Sequence, residues 1–165
     1  MQTKEEKSLV HKLKELISTC NNIFEVGAMD GTDLPFLLEL WPESKIHAFE
    51  PDSDNFINLT KNKLNNVVYS NFALSNTVGQ CVLYRYFRPN GSRDFWCSSA
   101  SSLLSVGEMH SPPHTDASQN NVSKTYTTTL DSYCICNNVW PDVLLLDTQG
   151  SEYEILEGAK LSLAY

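Results

Sequence analysis

The chain has 165 residues, which is long enough for one domain with a buried core. Its 41% hydrophobic and 19% charged residues are typical of a soluble globular protein. A net charge of −8 would repel a phosphate backbone, which argues against a nucleic-acid partner, and no apolar run approaches the roughly 20 residues that span a bilayer.

The first 20 residues are predicted to contain an amphipathic helix, over residues 5–18. Five apolar side chains recur on one face of that helix: Leu9, Val10, Leu13, Leu16 and Ile17. The charged sequence around them lacks the apolar stretch of a secretion signal, so we expect a cytoplasmic protein. Five scattered cysteines, an odd number, are expected to be reduced thiols in that compartment.

Residues 23–74 alternate between short apolar runs and helical patterns. The strand-like runs are IFEVG (23–27), KIHAFE (45–50) and VVYSNFAL (67–74). Thr32 or Asp33 can cap the helix after the first run, and Ser53 or Asp54 the helix after the second. This alternation predicts an α/β fold with a mostly parallel sheet, helices on both faces and the first strand in a central position.

The second half of the chain is less regular. Residues 79–87 have the pattern of a strand, whereas residues 88–124 lack periodicity and are predicted to be a long loop insertion. KTYTTTL and PDVLLLD predict two more strands with a short helix between them, and a final helix follows. With no strand after that helix, the last strand would be an apolar sheet edge, which proteins usually cover. We therefore expect either a C-terminally truncated sheet or self-association through the edge.

Three carboxylates stand at the ends of predicted parallel strands: Glu25, Glu50 and Asp147. Ligands of open α/β sheets bind outside these strand ends. Glu50 follows Gly27 by 23 residues, the place where an acid commonly binds ribose hydroxyls. The loop EVGAMDG is not G-x-G-x-x-G, and its Asp30 would repel a pyrophosphate. A cationic nucleoside such as S-adenosylmethionine fits better than NAD, although a plain tight turn is the alternative.

Six motifs occur in one order between residues 23 and 160: FEVGAMDG, HAFEP, SNFALS, SASSLL, TTTLDSY and PDVLLLDTQGSEYEILEGA. In these motifs the chain resembles the FkbM-type family of S-adenosylmethionine-dependent methyltransferases. The last motif is the most specific, because a strand, D-x-Q-G-x-E and a helix ending in L-x-G-A follow one another. The resemblance implies a methyltransferase-like domain over residues 1–165 with a Rossmann-like class I sheet. It also implies O-methylation of a sugar, glycan or natural product.

The resemblance also implies a set of cofactor contacts. The predicted cofactor-binding residues are Glu25, Gly27, Asp30, Gly31, Glu50, Pro51, Ala73, Leu74, Asp147 and Gln149. In such proteins the residues of the first motif frame the methionine part of S-adenosylmethionine, and Glu50 holds the ribose. Ala73 and Leu74 would lie by the adenine. The family often has Asn where this chain has Met29, which would remove one polar contact.

Asp147 is the first candidate for a general base, because it ends a strand that faces the cleft and an alcohol must lose a proton during attack. Helix capping or cofactor positioning is the alternative for Asp147. Glu152 is the second candidate, although an acid in the first turn of a helix usually serves that helix. Ser101 and Ser102, in a family motif, and His110, in the long loop, are predicted substrate contacts. The sequence predicts no metal site.

Two other functions compete with the methyltransferase. An NAD-linked oxidoreductase would require G-x-G-x-x-G and a catalytic pair such as Tyr-x-x-x-Lys, and the sequence contains neither. A truncated or non-catalytic methyltransferase-like module would bind the cofactor weakly and associate with itself through the open sheet edge.

Overall fold

The computed structural model describes residues 4–61, 63–88, 90, 92, 94–105 and 118–164. Only the backbone is described for residues 4–9, 95, 96 and 118–121. The helices are α1 (Lys4–Leu16), α2 (Leu34–Leu40), α3 (Ser53–Leu59), α4 (Phe95–Ser99), α5 (Leu130–Asn137) and α6 (Glu152–Glu157). The strands are β1 (Asn22–Val26), β2 (Lys45–Phe49), β3 (Val67–Ser70), β4 (Ala73–Leu74), β5 (Gly79–Phe87), β6 (Ser118–Thr128) and β7 (Val143–Leu146).

The main sheet has four strands in the order β3-β2-β1-β7, and all of its neighbours are parallel. Val26, at the end of β1, pairs with Phe49 on one side and Leu146 on the other. The carboxyl ends of β1, β2 and β7 therefore lie side by side. The predicted α/β class, the mostly parallel sheet and the central position of β1 are confirmed. Within the described residues, β7 is an edge strand.

Apolar side chains cover both faces of this sheet, as the alternation along β1 requires. Ile23 belongs to a core with α1, α2 and α3, whereas its neighbour Phe24 belongs to a core with α5 and α6. The first core includes Val10, Ile23, Leu34, Leu37, Trp41, Ile46 and Leu59. The second includes Phe24, Phe49, Leu130, Tyr133 and Ile155. None of the described helices combines the length and apolar character needed to cross a membrane.

The predicted apolar face of the N-terminal helix is wrong in one residue. Leu13 and Ile17 pack against the first core with Val10, but Leu16 is 84% exposed at the end of α1. The side chain of Leu9 lies outside the described residues. Val10, Leu13 and Ile17 are spaced three and four residues apart, so they share one helical face. Leu16 lies outside that face.

A second, three-stranded sheet corrects two predictions. Its order is β4-β6-β5, with β4 parallel and β5 antiparallel to β6. The predicted strand over residues 67–74 is divided between β3 in the first sheet and β4 in the second. The predicted loop over residues 88–124 contains α4 and the start of β6. The second half of β6 confirms the strand predicted for KTYTTTL: Thr125 and Thr127 are buried and Tyr126 between them is exposed. The first half of β6 was not predicted, because its polar residues form a strand through pairing with β5.

The start of α3 also differs from the prediction. Asp52, rather than Ser53 or Asp54, is the N-cap, and its Oδ1 accepts hydrogen bonds from the backbone N–H of Asp54 and Asn55. Asp52 is fully buried, whereas the side chain of Asp54 is mostly exposed. The cap thus fixes α3 directly after the end of β2.

Candidate functional site

A cavity of about 670 Å³ opens at the carboxyl ends of β1, β2 and β7. Its lining includes nine of the predicted cofactor-binding residues: Glu25, Gly27, Asp30, Glu50, Pro51, Ala73, Leu74, Asp147 and Gln149. Ser101 and Ser102 line it as well. Gly31 and Glu152 are not among its lining residues, and His110 lies outside the described part of the chain.

The two glycines of the first loop are required by packing. Gly27 has φ +91°, and a Cβ there would overlap the carbonyl oxygen of Asp147 at the end of β7. Gly31 has φ +76°, and a Cβ there would lie 2.6 Å from the side chain of Leu59. Gly27 therefore lets the ends of β1 and β7 meet, and Gly31 lets the loop pack on α3. Asp30 stabilises the same loop by accepting hydrogen bonds from the N–H and hydroxyl of Thr32.

Met29 occupies a left-handed conformation between those glycines, with φ +48°. Asn tolerates this conformation better than an unbranched apolar residue does. We expect Met29→Asn to raise the free energy of unfolding by about 0.5–1 kcal/mol, as other substitutions that suit the native backbone do. Urea denaturation measures the change. A loss of stability would contradict it and would mean that the Met29 side chain contributes more than its backbone strain costs.

Glu50 ends β2 and joins the two loops around it. Its Oε2 accepts a hydrogen bond of 2.8 Å from the N–H of Met29, and its Oε1 accepts one of 2.8 Å from the N–H of Asp52. Burial raises the pKa of Glu50 to about 8, against the lowering effect of these hydrogen bonds. Each carboxylate oxygen has a further lone pair, so Glu50 can still accept hydrogen bonds from a ligand.

Glu25 is the least satisfied group of the site. Its side chain is buried on β1, and its Oε2 has no hydrogen-bond partner among the described residues. Burial, helped by the charges of Asp33 and Asp147, raises the pKa of Glu25 to about 8. A buried polar atom without a partner is costly and rare in native proteins. A ligand that brings a cation or a donor would remove that cost.

The titratable side chains described in the cavity lining are all acids, and two of them, Glu25 and Glu50, have a pKa of about 8, so they become carboxylates only above that pH or when a cationic ligand binds. The lining includes the carboxyl groups of Glu25, Asp30, Asp33, Glu50 and Asp147, and the described lining residues include no Lys, Arg or His. Such a cavity attracts cationic ligands and repels phosphates.

The turn after β7 is held by its own side chains. Gln149 has φ +57°, and its Nε2 donates a hydrogen bond of 2.6 Å to Oδ1 of Asp147. Glu152 accepts hydrogen bonds from the backbone N–H of Thr148 at 2.7 Å and of Gly150 at 3.1 Å. Although partial burial opposes them, these hydrogen bonds lower the pKa of Glu152. Glu152 therefore stabilises the turn. It is not among the residues that line the cavity, and its catalytic role remains a prediction.

A polar network that could not be predicted from the sequence anchors Ser101. The Ser101 hydroxyl donates to Oδ2 of Asp52 at 3.1 Å, and Arg85 Nε donates to the same oxygen at 3.0 Å. Asn55 Nδ2 donates to the carbonyl oxygen of Ser98 at 3.1 Å. The one available signal was the Asp directly after Pro51, a favourable place for a helix cap. Arg85 had no signal, because its partner lies 33 residues away.

Within the described residues, no group of three or more His, Cys, Asp and Glu side chains is arranged to hold a metal ion. The five cysteines are free thiols in the structure.

A family model described as the methyltransferase FkbM domain matches residues 25–164. The match covers most of the chain and every predicted cofactor-binding residue. The four-stranded parallel sheet is consistent with a Rossmann-like methyltransferase fold. Comparison with curated proteins and with solved structures finds no match.

Proposed function

We propose, since this chain belongs to the FkbM methyltransferase family, that it methylates a hydroxyl oxygen of a sugar, glycan or natural product. We also propose S-adenosylmethionine as the methyl donor. The observation that carries the choice of cofactor is the buried Oε2 of Glu25, which has no partner among the described residues and belongs to the cavity lining. A cytoplasmic location remains a prediction.

The residues of the cavity fit this cofactor. Glu25 would bind its ammonium group, and Glu50 would accept hydrogen bonds from its ribose hydroxyls with the lone pairs that the backbone leaves free. Ala73 and Leu74 are buried in the wall and would contact the adenine. When bound, S-adenosylmethionine supplies a methyl group activated by a positive sulfur, so the protein has mainly to position the reactants.

The charge of the lining argues against NAD. A pyrophosphate would be placed among carboxylates such as Asp30 and Asp33, without a described Lys, Arg or His in the wall to compensate. S-adenosylmethionine carries an ammonium, a sulfonium and one carboxylate, which gives a net positive charge. The same cavity that repels a pyrophosphate therefore attracts this cofactor.

Asp147 is the proposed base for the acceptor hydroxyl. It ends β7 at the mouth of the cavity, is exposed, and is oriented through Oδ1 by the amide of Gln149. A carboxylate in hydrogen-bond reach of an alcohol can take its proton as the oxygen attacks. Gln149 and the backbone of the turn would keep the carboxylate aimed at the acceptor.

The function is tested by incubating the purified chain with S-adenosylmethionine and a panel of neutral glycosides and polyols. We expect S-adenosylhomocysteine and a methyl ether to form in equal amounts with at least one acceptor. A methyl group found on nitrogen or on a carboxylate would contradict O-methylation.

The alternative of a non-catalytic module is favoured by the edge position of β7, whose Leu144, Leu145 and Leu146 are partly exposed. An exposed apolar edge is a template for pairing with another chain. If no product forms, while gel filtration shows concentration-dependent association and S-adenosylmethionine binds weakly, the non-catalytic reading replaces the enzyme.

The ionisation of Glu25 gives a prediction for pH dependence. The Glu25 carboxyl group of the folded protein has a pKa of about 8, whereas the ordinary value is 4.5, so protonation of Glu25 favours the folded protein between these two pH values. The free energy of unfolding should therefore fall as pH rises through this window, and Glu25→Gln should make it fall less steeply. The affinity for S-adenosylmethionine should instead rise as pH rises through this window, because the ionised carboxylate of Glu25 binds an ammonium group.

We expect S-adenosylmethionine to bind Glu25→Gln about tenfold more weakly than the native protein at pH 8.5, the effect of one charge-assisted hydrogen bond. The difference should shrink towards pH 6, where the native Glu25 keeps its proton. Calorimetric titrations at several pH values measure it. An affinity that is equal at pH 8.5 would remove Glu25 from the cofactor site.

A further inference from the structure

Residues 98–104, here called the strap, contact two walls of the cavity that follow two different strands. On one wall, the Ser101 hydroxyl donates to Asp52 at 3.1 Å, at the start of α3. On the other, the Ser102 hydroxyl donates to the carbonyl oxygen of Gln149 at 3.0 Å, in the turn after β7. Two neighbouring residues thus bind segments that follow two different strands.

The topology of the sheet determines what lies beneath the strap. α3 follows β2, the turn holding Gln149 follows β7, and β1 lies between those two strands. A segment tied to both must therefore cross the carboxyl end of β1. Glu25 and Gly27 are at that end, and residues 98–103 line the same cavity.

The strap is also attached to the second sheet. The backbone of Ser102 pairs with the backbone of Tyr84 on β5 through hydrogen bonds of 2.8 and 3.1 Å. Ser102 is 2% exposed, which is a buried place for a hydroxyl side chain. The strap is therefore held by backbone hydrogen bonds to β5 and by two side-chain hydrogen bonds, to Asp52 and to Gln149.

Ser102 donates its hydrogen bond to a residue, Gln149, whose backbone is strained. Gln149 is a non-glycine residue at φ +57°, a left-handed conformation that such residues rarely adopt and that persists only where the surrounding structure enforces it. Ser102 holds its carbonyl group, while Glu152 holds the N–H groups of Thr148 and Gly150 on either side. The side-chain amide of Gln149 is thereby kept on Asp147.

We infer that Ser101 and Ser102 are positioning residues, not acceptor contacts: they tie the start of α3 to the turn after β7 and so keep Gln149 aimed at Asp147. The inference rests on the proposed function only where cofactor binding is concerned. It replaces the predicted role of both serines as substrate contacts with a role in the shape of the site.

The first test needs no ligand. Hydrogen exchange is measured on the native protein, on Ser102→Ala and on Ser101→Ala, with Ser92→Ala as the matched control. Ser92 is exposed, and its hydroxyl bonds only to neighbouring Asn90 among the contacts described. We expect Ser102→Ala to speed exchange at residues 148–151 about threefold or more.

The decisive variant is Ser101→Ala, because Ser101 touches the opposite wall. If the strap ties the walls together, this variant also speeds exchange at 148–151, although Ser101 has no described hydrogen bond to that turn. Unchanged exchange at 148–151 in Ser101→Ala would overturn the inference, even if Ser102→Ala has an effect. The control should behave as the native protein does.

The second test uses S-adenosylmethionine as the probe. We expect each alanine variant to bind it about three- to tenfold more weakly, the effect of one lost hydrogen bond. The double variant should bind no more weakly than the weaker single one, because releasing either end frees the strap. Losses of affinity that add up in the double variant would contradict the inference that the two serines act together. If the native protein itself does not bind, the proposed function fails, and the exchange experiment still decides the inference.

Discussion

Replacing Asp147 with Asn is expected to lower the rate of methyl transfer about 10²–10³-fold, the usual contribution of a positioned general base. Asn keeps the shape of the side chain and can still bond to Gln149, but it cannot accept the proton of the hydroxyl. The affinity for S-adenosylmethionine should fall much less than the rate, because Glu25 and Glu50 are the proposed ligands of the ammonium and the ribose, and Asp147 adds only its charge to the acidic lining. Initial rates of S-adenosylhomocysteine formation and calorimetric titrations separate the two effects.

A matched control for this substitution is Glu43→Gln. Glu43 is an exposed acid in the turn before β2, and it is not among the residues that line the cavity. Both variants remove one negative charge from an acidic protein, so the control corrects for any general electrostatic effect. If Asp147→Asn retains the native rate, Asp147 is not the base, and its carboxylate only positions the turn.

Replacing Gly27 with Ala should destabilise the fold by about 3 kcal/mol or more. The added methyl group would overlap the carbonyl oxygen of Asp147, and the positive φ of Gly27 disfavours any side chain. To relieve the overlap, β1 and β7 must move apart at the end where the cavity lies. We therefore also expect a loss of S-adenosylmethionine affinity that exceeds the effect of Glu25→Gln.

The proper comparison for that variant is Gly79→Ala. Gly79 also has a positive φ, but a Cβ there would meet no atom within 4 Å. Because φ is +91° at Gly27 and +159° at Gly79, the difference in unfolding free energy between the two variants reports the close approach of β1 and β7 together with the greater backbone strain at Gly27. Chemical denaturation measures both values. Equal losses would mean that the neighbouring carbonyl yields easily and that Gly27 matters only for its conformation.

The sequence predicted the part of the site that depends on strand ends. Glu25, Glu50 and Asp147 each follow an apolar run, and the carboxyl ends of parallel strands meet at one edge of a sheet. The structure brings these three residues to one cavity. This inference needed only the order of elements and the handedness of their connections, which are strong general rules.

The parts that sequence reasoning missed depend on partners far apart in the chain. The first half of β6, residues 118–123, is mostly polar and forms a strand by pairing with β5, from Leu83 with Ser123 to Phe87 with Ser118. The hydrogen bond between Arg85 and Asp52 forms only because β5 packs beside the start of α3 in the folded chain. Periodicity and capping rules describe neighbours within a few residues, so they carry no information on such contacts.

Ser101 and Ser102 illustrate the same limit within the site. The motif SASSLL marked them correctly as members of the cavity wall, but their chemistry was predicted to face the acceptor. Their hydroxyl groups bond to Asp52 and Gln149, and these contacts support the inferred positioning role. A motif gives the place of a side chain near a site, whereas the role depends on the groups that fold against it.

The central claim is that the acidic cavity at the ends of β1, β2 and β7 binds S-adenosylmethionine. The most direct measurement is a calorimetric titration of the purified chain with S-adenosylmethionine and, in parallel, with NAD. We expect S-adenosylmethionine to bind one-to-one, with an affinity that falls as salt is added because carboxylates recognise its cationic groups, and we expect NAD not to bind. If NAD binds, or if neither compound binds, the proposal that this cavity holds S-adenosylmethionine is contradicted.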